Sequence, residues 1–487
     1  MIVRNEEANL AECLSGVGGL FEEMVVVDTG STDATKAIAG RFGARVIDFP
    51  WVDDFAAARN ESRRHATCEW IMWLDADDRI DAVNRRRLEC VLQCLGSFDT
   101  RQSRVFMMPC LSPRPGGGTD LISQARLFAR ESNLRWFGAV HERIDSVADG
   151  DTIELHATDV QIRHLGYSDA AEAARKEFRD LRLLERQYLI DPDDPLNLYY
   201  LARIHHARGR YADAIRLARR SIRLDPHGTV LCTPQTFLIL AESLVASGRL
   251  ADALAVYDQG IGRYPRDPYM RHKHGCVLAK AGRLAEAESC FRAVLSRESP
   301  SISLNSIPVD LQRETSWLML ARVQMMRQHW IDADAVLRRL IQMQPGCVEA
   351  WELLAHANLA LGRGHEVRGV IQSLSSIAGT ELEQLLLQAR LAIAEGRLPQ
   401  ARRWVDQAMA AHPGASAPWV VLSDLLYAEG GDRQRCINVH RKALSMYPEL
   451  VELRRRLELM LQQESRHCGT EDKTATVEPS TANALMA

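Results

Sequence analysis

No stretch of this 487-residue chain approaches 18 consecutive apolar residues, and no basic segment followed by a short apolar run opens it. Neither a membrane span nor a secretory leader is expected. An excess of either charge is also missing: 60 basic residues face 64 acidic ones, a net charge of −4. That balance excludes a strongly basic nucleic-acid binder, so no nucleic acid is expected as partner. The eleven cysteines are odd in number and scattered, without a Cys-x-x-Cys pair, which excludes a disulfide framework and fits a reducing compartment. Hydrophobic residues make up 46% and charged residues 25%, so the chain is neither collagen-like nor wholly disordered. The length allows about three domains with sizeable cores. A soluble, cytoplasmic protein is expected.

Residues 1 to about 165 alternate short apolar strands with helical stretches. Met1-Ile2-Val3 stops at Asn5-Glu6-Glu7, which opens a helix through about Leu14. Met24-Val25-Val26-Val27 ends at Asp28-Thr29-Gly30-Ser31-Thr32-Asp33, and a helix follows to about Phe42. Ala44 to Ile47 reads as a third strand. A helix from Phe55 to about Ala66 leads to Trp70-Ile71-Met72-Trp73-Leu74 and then Asp75-Ala76-Asp77-Asp78. Apolar strands each followed by a helix predict an α/β domain with a mainly parallel sheet covered on both faces. Ligands bind such sheets outside the carboxyl ends of the strands. Three of those ends carry acidic or amide clusters here.

From about Ser168 the texture changes to long helices. Gly209, Ala214 and Pro226, then Ala241, Gly248, Ala253 and Pro265, fit the 34-residue tetratricopeptide pattern. Trp317, Trp351, Leu385 and Trp419 recur every 34 residues, as do Ala321, Ala355, Ala389 and Ser423. The expected organisation is an α/β domain over 1–167, a connecting helix over 168–194, and about seven repeats over 195–450. A polar tail over 463–487 is expected to be disordered. Stacked repeats form an all-α superhelix with a concave face.

In Asp75-Ala76-Asp77, two carboxylates fall on one side of an extended segment. Holding them together calls for a neutralising cation, and hard oxygen ligands with open positions suit Mg²⁺ or Mn²⁺ on a diphosphate. Alone, Asp-x-Asp is more often a solvated turn that caps the following helix. Its place directly after an apolar strand favours the site. The segments Met1-Ile-Val-Arg-Asn-Glu-Glu, Val-Val-Val-Asp28-Thr-Gly-Ser-Thr-Asp33, Ala-Arg59-Asn60-Glu-Ser and Trp-Leu-Asp75-Ala-Asp77-Asp78 together resemble glycosyltransferase family 2, with the GT-A fold. Within it they are similar to bacterial members with tetratricopeptide repeats, related to S-glycosyltransferases that modify peptide cysteines.

The resemblance covers residues 1 to about 165 and implies a nucleotide-sugar donor, usually UDP-linked, and a divalent metal, Mn²⁺ or Mg²⁺. It places Glu6 and Asp28 against uracil and ribose, Arg59 on the nucleotide side, Asp75 on ribose or metal, and Asp77 on the metal. For Arg59, a plain surface position on its helix is an equal alternative. In Arg135-Trp136-Phe137-Gly138-Ala139-Val140-His141-Glu142, Gly138 permits close backbone approach. Inverting chemistry in the family needs a general base, and Glu142 is the candidate. Trp136 lines the acceptor side or belongs to the core. For a histidine metal ligand, His164 is the first candidate and His141 the second.

Repeats of this type commonly bind peptides, which points to a peptide or protein acceptor. The chain starts inside its first apolar strand, which is expected to lie centrally, so that strand reads as truncated. Asp28-Thr-Gly also resembles the aspartic-protease motif, but no second copy follows an apolar strand. A nucleotidyltransferase shares the metal–diphosphate chemistry. A repeat scaffold with a decayed transferase domain is the alternative of a different class.

Overall fold

A computed structural model describes residues 1–114, 118–166, 170–228, 233–296, 307–430 and 433–467. The chain divides into two compact units, Met1–Arg271 with Glu298–Leu311, and His272–Arg297 with Gln312–Ala487.

The first unit opens with a three-stranded parallel sheet of β1 (Ile2–Val3), β2 (Val25–Asp28) and β3 (Arg45–Asp48). Helices α1 (Leu10–Val17) and α2 (Thr35–Arg41) make the crossovers that parallel pairing requires. Leu10, Leu14, Val26 and Ile38 form the core between them. Helix α3 (Phe55–His65) starts where the Asp54 carboxylate accepts the Ala57 N–H at 2.8 Å. Strand β4 (Trp70–Met72), β5 (Asp78–Arg79) and helix α4 (Ala82–Cys94) follow. After them come β6 (Arg104–Pro113), β7 (Thr119–Ala129), β8 (Leu134–Phe137), β9 (Arg143–Ser146), β10 (Glu154–Ala157) and β11 (Ile162–His164).

The mainly parallel sheet expected from the sequence holds only for β1–β3. The larger sheet is mixed: β6 and β7 are a long antiparallel pair, β4 runs antiparallel to β7, and β10 and β11 run parallel to β6. The reason is local. Between β6 and β7 the Arg114 N–H donates to Gly118 O at 3.1 Å, with Gly118 at φ 83°, so the chain turns straight back instead of crossing over. The central place expected for β1 is also corrected. Among the described residues it pairs with β2 alone, while β4 directs its ladder at β7.

Helix α5 (Ala170–Ile190) leads into paired helices: α6 (Pro195–Ala207) with α7 (Tyr211–Leu224), and α8 (Thr233–Ala246) with α9 (Leu250–Arg263). Helix α10 (Pro268–Lys280) pairs with α11 (Leu284–Leu295), and a short strand β12 (Ile307–Pro308) pairs with β7.

The second unit, which holds most of α10 and all of α11, runs on through α12 (Ser316–Met326) to α19 (Arg433–Met446), ending in α20 (Val451–His467). The small residues repeating every 34 positions are its packing points: Ala321, Ala355 and Ala389 are 0% exposed and Ser423 is 1%. A side chain much larger than alanine there would hold neighbouring helices apart. Gly396 (φ 72°) turns one helix into the next, and Gln328 takes the same left-handed position at φ 61°. Helix α20 runs to His467. The rest of the tail and the boundary at 167–168 lie outside the described residues.

Candidate active site

The loops after β1 and β2 are tied to each other by side chains. Asn5, at φ 55°, accepts the Thr32 N–H on Oδ1 (2.8 Å) and donates its own N–H to Ser31 Oγ (2.9 Å). Glu6 N–H donates to Thr35 Oγ1 (2.7 Å), Glu7 N–H to Asp33 Oδ2 (3.1 Å), and Ala34 N–H to Glu7 Oε2 (3.0 Å). The polar clusters read from the sequence therefore build one scaffold. Asp28 is part of it: its buried Oδ1 accepts the N–H groups of Gly30 (3.0 Å) and Ser31 (2.9 Å), while Oδ2 has no hydrogen-bond partner.

Asp75, Asp77 and His164 offer ligand atoms that all lie within 4.8 Å of one another. They come from the turn after β4 and the end of β11, joined where Leu165 N–H donates to Asp77 O at 3.0 Å. Burial, with Asp75 and Asp78 close by, pushes the Asp77 carboxyl up against the pull of His164. Burial lowers the His164 pKa, but Asp78, Asp77 and Asp75 outweigh it and hold it raised. Crowded carboxylates of this kind are relieved by a cation. Gly166 packs directly against this pair: a Cβ there would stand 2.7 Å from His164 Nε2 and closer still to Asp77 Oδ2. Two carboxylates and an imidazole fit Mn²⁺ or Mg²⁺.

Arg59, 7% exposed, joins this cluster to a second one. Its Nη2 donates to Asp75 Oδ1 at 3.0 Å and its Nε to Glu142 Oε1 at 2.5 Å. The guanidinium lies over the rings of Trp73 (4.2 Å) and Trp136 (5.0 Å), which themselves meet edge to face. Burial works against the Arg59 charge, but Asp75 and Glu142 raise its pKa. Burial likewise opposes the Asp75 charge, and Arg59, Arg126 and His164 overcome it, so that carboxyl is held low. Asn60 brackets the Trp136 backbone, donating to its carbonyl (2.8 Å) and accepting its N–H (3.0 Å). His141, at φ 53°, stacks on Tyr200 of α6 with ring centroids 3.8 Å apart. Burial, then Arg203 and Arg179, push its pKa down to about 3.

The description Glycosyl transferase family 2 matches residues 1–83, and tetratricopeptide repeat descriptions match 195–227, 238–301, 318–365 and 383–407. The N-terminal domain is a family 2 glycosyltransferase domain. Over 145 residues, 30% of this chain and 34% of the relative, the sequence is 34% identical to a TPR repeat-containing protein of Synechococcus elongatus. It is 27% identical over 232 residues to the SPbeta prophage-derived glycosyltransferase SunS of Bacillus subtilis, covering 46% of this chain and 52% of that one. An uncharacterized glycosyltransferase of Rickettsia felis is 32% identical over 91 residues, 19% of this chain and 32% of its own length. The chain thus spans about a third to a half of the length of these relatives.

In the transferase domain, Glu6, Arg59, Asp75, Asp77, Trp136, His141, Glu142 and His164 all line one cleft of about 1520 Å³, whose far wall includes Tyr200 and Arg203 of α6. Asp28 does not line it and instead shapes the loop behind it. Of the two histidines, His164 and not His141 joins the carboxylates. Sequence reasoning passed over Arg126, Asn60 as a bracket, and Gly166. Arg126 sits on β7 with no motif around it. Asn60 stands inside a quoted motif, which was the available signal.

Proposed function

We propose that this chain is a metal-dependent, inverting glycosyltransferase that moves a sugar from a nucleotide-sugar donor, UDP-linked, to a peptide or protein acceptor. The observation that carries this reading is the convergence of Asp75, Asp77 and His164 with the Arg59–Glu142 pair in one cleft, inside a family 2 domain. The glycosyltransferase name of the Bacillus subtilis relative supports the reaction class. The repeats support a polypeptide acceptor, which they would hold at high local concentration. Among the described residues, no helix is long and apolar enough to cross a membrane.

Asp75, Asp77 and His164 would hold the divalent cation, which when bound supplies charge neutralisation for a departing diphosphate. Glu6 and the loop that Asp28 shapes bind the nucleoside end. Glu142 takes the proton from the acceptor atom as that atom attacks the anomeric carbon from the face opposite the diphosphate. Arg59 fixes one Glu142 oxygen and one Asp75 oxygen at once, so base and diphosphate site keep a set separation. Trp73 and Trp136 keep that guanidinium flat and dry.

Calorimetric titration of UDP with Mn²⁺ present, then with EDTA, tests the reading. Binding that disappears with EDTA, and that Asp77→Ala abolishes, is the expected result. No binding to the folded wild-type chain would refute it and leave the repeats as the functional part.

A further inference from the structure

Asp78 is the acidic residue of the Asp75-Ala76-Asp77-Asp78 segment that does not join the ligand group, and its surroundings say why. It is 1% exposed and both oxygens are engaged. Oδ2 accepts from Arg126 Nη1 at 2.7 Å and from the Asp75 N–H at 2.8 Å. Oδ1 meets His164 Nδ1 at 3.0 Å and Arg126 Nη2 at 3.5 Å. A carboxylate tied to a guanidinium only accepts, so the His164 Nδ1 must donate to it. The ring's lone pair in the neutral form is then on Nε2, the nitrogen on the side of Gly166 and Asp77 Oδ2. Arg126, 1% exposed and lying 3.8 Å over the Trp73 ring, keeps Asp78 from moving. Gly166 has an ordinary φ, so a side chain there would meet Asp77 and His164 and not backbone strain.

We propose that Asp78 and Gly166 are the positioning residues of the cation site. Asp78, anchored by Arg126, sets the orientation and tautomer of His164 and the backbone of Asp75, and Gly166, bare of a side chain, lets Asp77 and His164 hold their places. This rests on the metal reading of the cleft. It goes beyond it in assigning the third aspartate an orienting task instead of a ligand's, and in giving β7 a part in metal selection through Arg126.

Mn²⁺ titration of the full chain with UDP present, followed by electron paramagnetic resonance of the free ion, tests it without any need for the acceptor. Asp78→Asn keeps the shape but leaves one acceptor oxygen where Arg126 and the Asp75 N–H on one side and His164 Nδ1 on the other all donate, so its NH₂ must face donors. It is expected to weaken Mn²⁺ binding ten- to hundredfold, the usual effect of losing an outer partner of a metal-bound histidine. Gly166→Ala sets a methyl against Asp77 Oδ2 and His164 Nε2, so one of these side-chain ends must move, and is expected to remove Mn²⁺ binding with an unchanged melting temperature. Both folded variants binding Mn²⁺ as the wild type does would overturn the proposal. If Asp78→Asn does not fold, Gly166→Ala decides alone: wild-type Mn²⁺ affinity overturns the proposal, lost affinity at unchanged melting temperature supports it. A wild-type chain that takes up no Mn²⁺ would instead refute the metal reading itself.

Discussion

Glu142 and Asp75 are two carboxylates sharing one buried guanidinium, and the arrangement separates binding from chemistry at the level of single side chains. Glu142→Gln keeps an oxygen for the Arg59 Nε and so leaves the pocket assembled. It removes the only function an amide cannot perform, taking up the acceptor's proton. The expected outcome is UDP affinity within about twofold of wild type and transfer slowed by roughly 10²- to 10⁴-fold, the range for a lost general base. Calorimetry and a donor-turnover assay read the two quantities separately. Transfer at the wild-type rate would remove Glu142 from the mechanism.

Helix α3 does more than cover a sheet. Its start is fixed by Asp54, its middle projects Arg59 into the cleft, and the next residue, Asn60, clasps the backbone of β8 at Trp136. Asn60→Ala leaves a part-buried N–H and C=O without partners, at a cost of about 1–3 kcal/mol. Because the clasp also keeps Trp136 against Arg59, donor affinity should fall with the melting temperature. A drop in stability with donor affinity intact would make Asn60 a purely structural residue. In the repeats, the corresponding element-scale feature is the row of buried small residues from Ala321 to Ser423, which sets how closely consecutive helices pack.

Across the whole molecule, acid should destabilise the chain through histidines that the fold holds neutral. Burial and Arg390 push His356 down to about 3, as burial with Arg203 and Arg179 does for His141. The unfolded chain protonates these rings near 6.5 while the folded one stays neutral to about 3. Between those values the unfolded state binds more protons, so stability falls as pH falls, by up to about 1.4 kcal/mol per pH unit for each ring. Above the unfolded value the two states bind alike and the effect is gone. Denaturation midpoints at pH 7 and pH 5 should show the loss, and His356→Gln should shrink it. An identical pH slope in the variant would rule His356 out as a source.

Periodicity carried the repeats. A tryptophan or small residue every 34 positions can be read without coordinates, because each repeat packs only on its neighbours and the same packing rule recurs locally. The strand-end clusters of the transferase domain were legible for a similar reason, since hydrogen-bonding loops need particular side chains at particular places, as Asn5, Asp28 and Asp33 show. Local sequence left undecided which distant residues meet. The bridging of Asp75 and Glu142 by Arg59 and the preference for His164 over His141 are long-range outcomes. So is the clasping of Asp78 by Arg126 from β7. Arg59 and Glu142 stand 83 residues apart in the chain, Asp78 and Arg126 48, and Asp78 and His164 86. Contacts of that kind follow from the packing of the whole domain, and no window of sequence contains them.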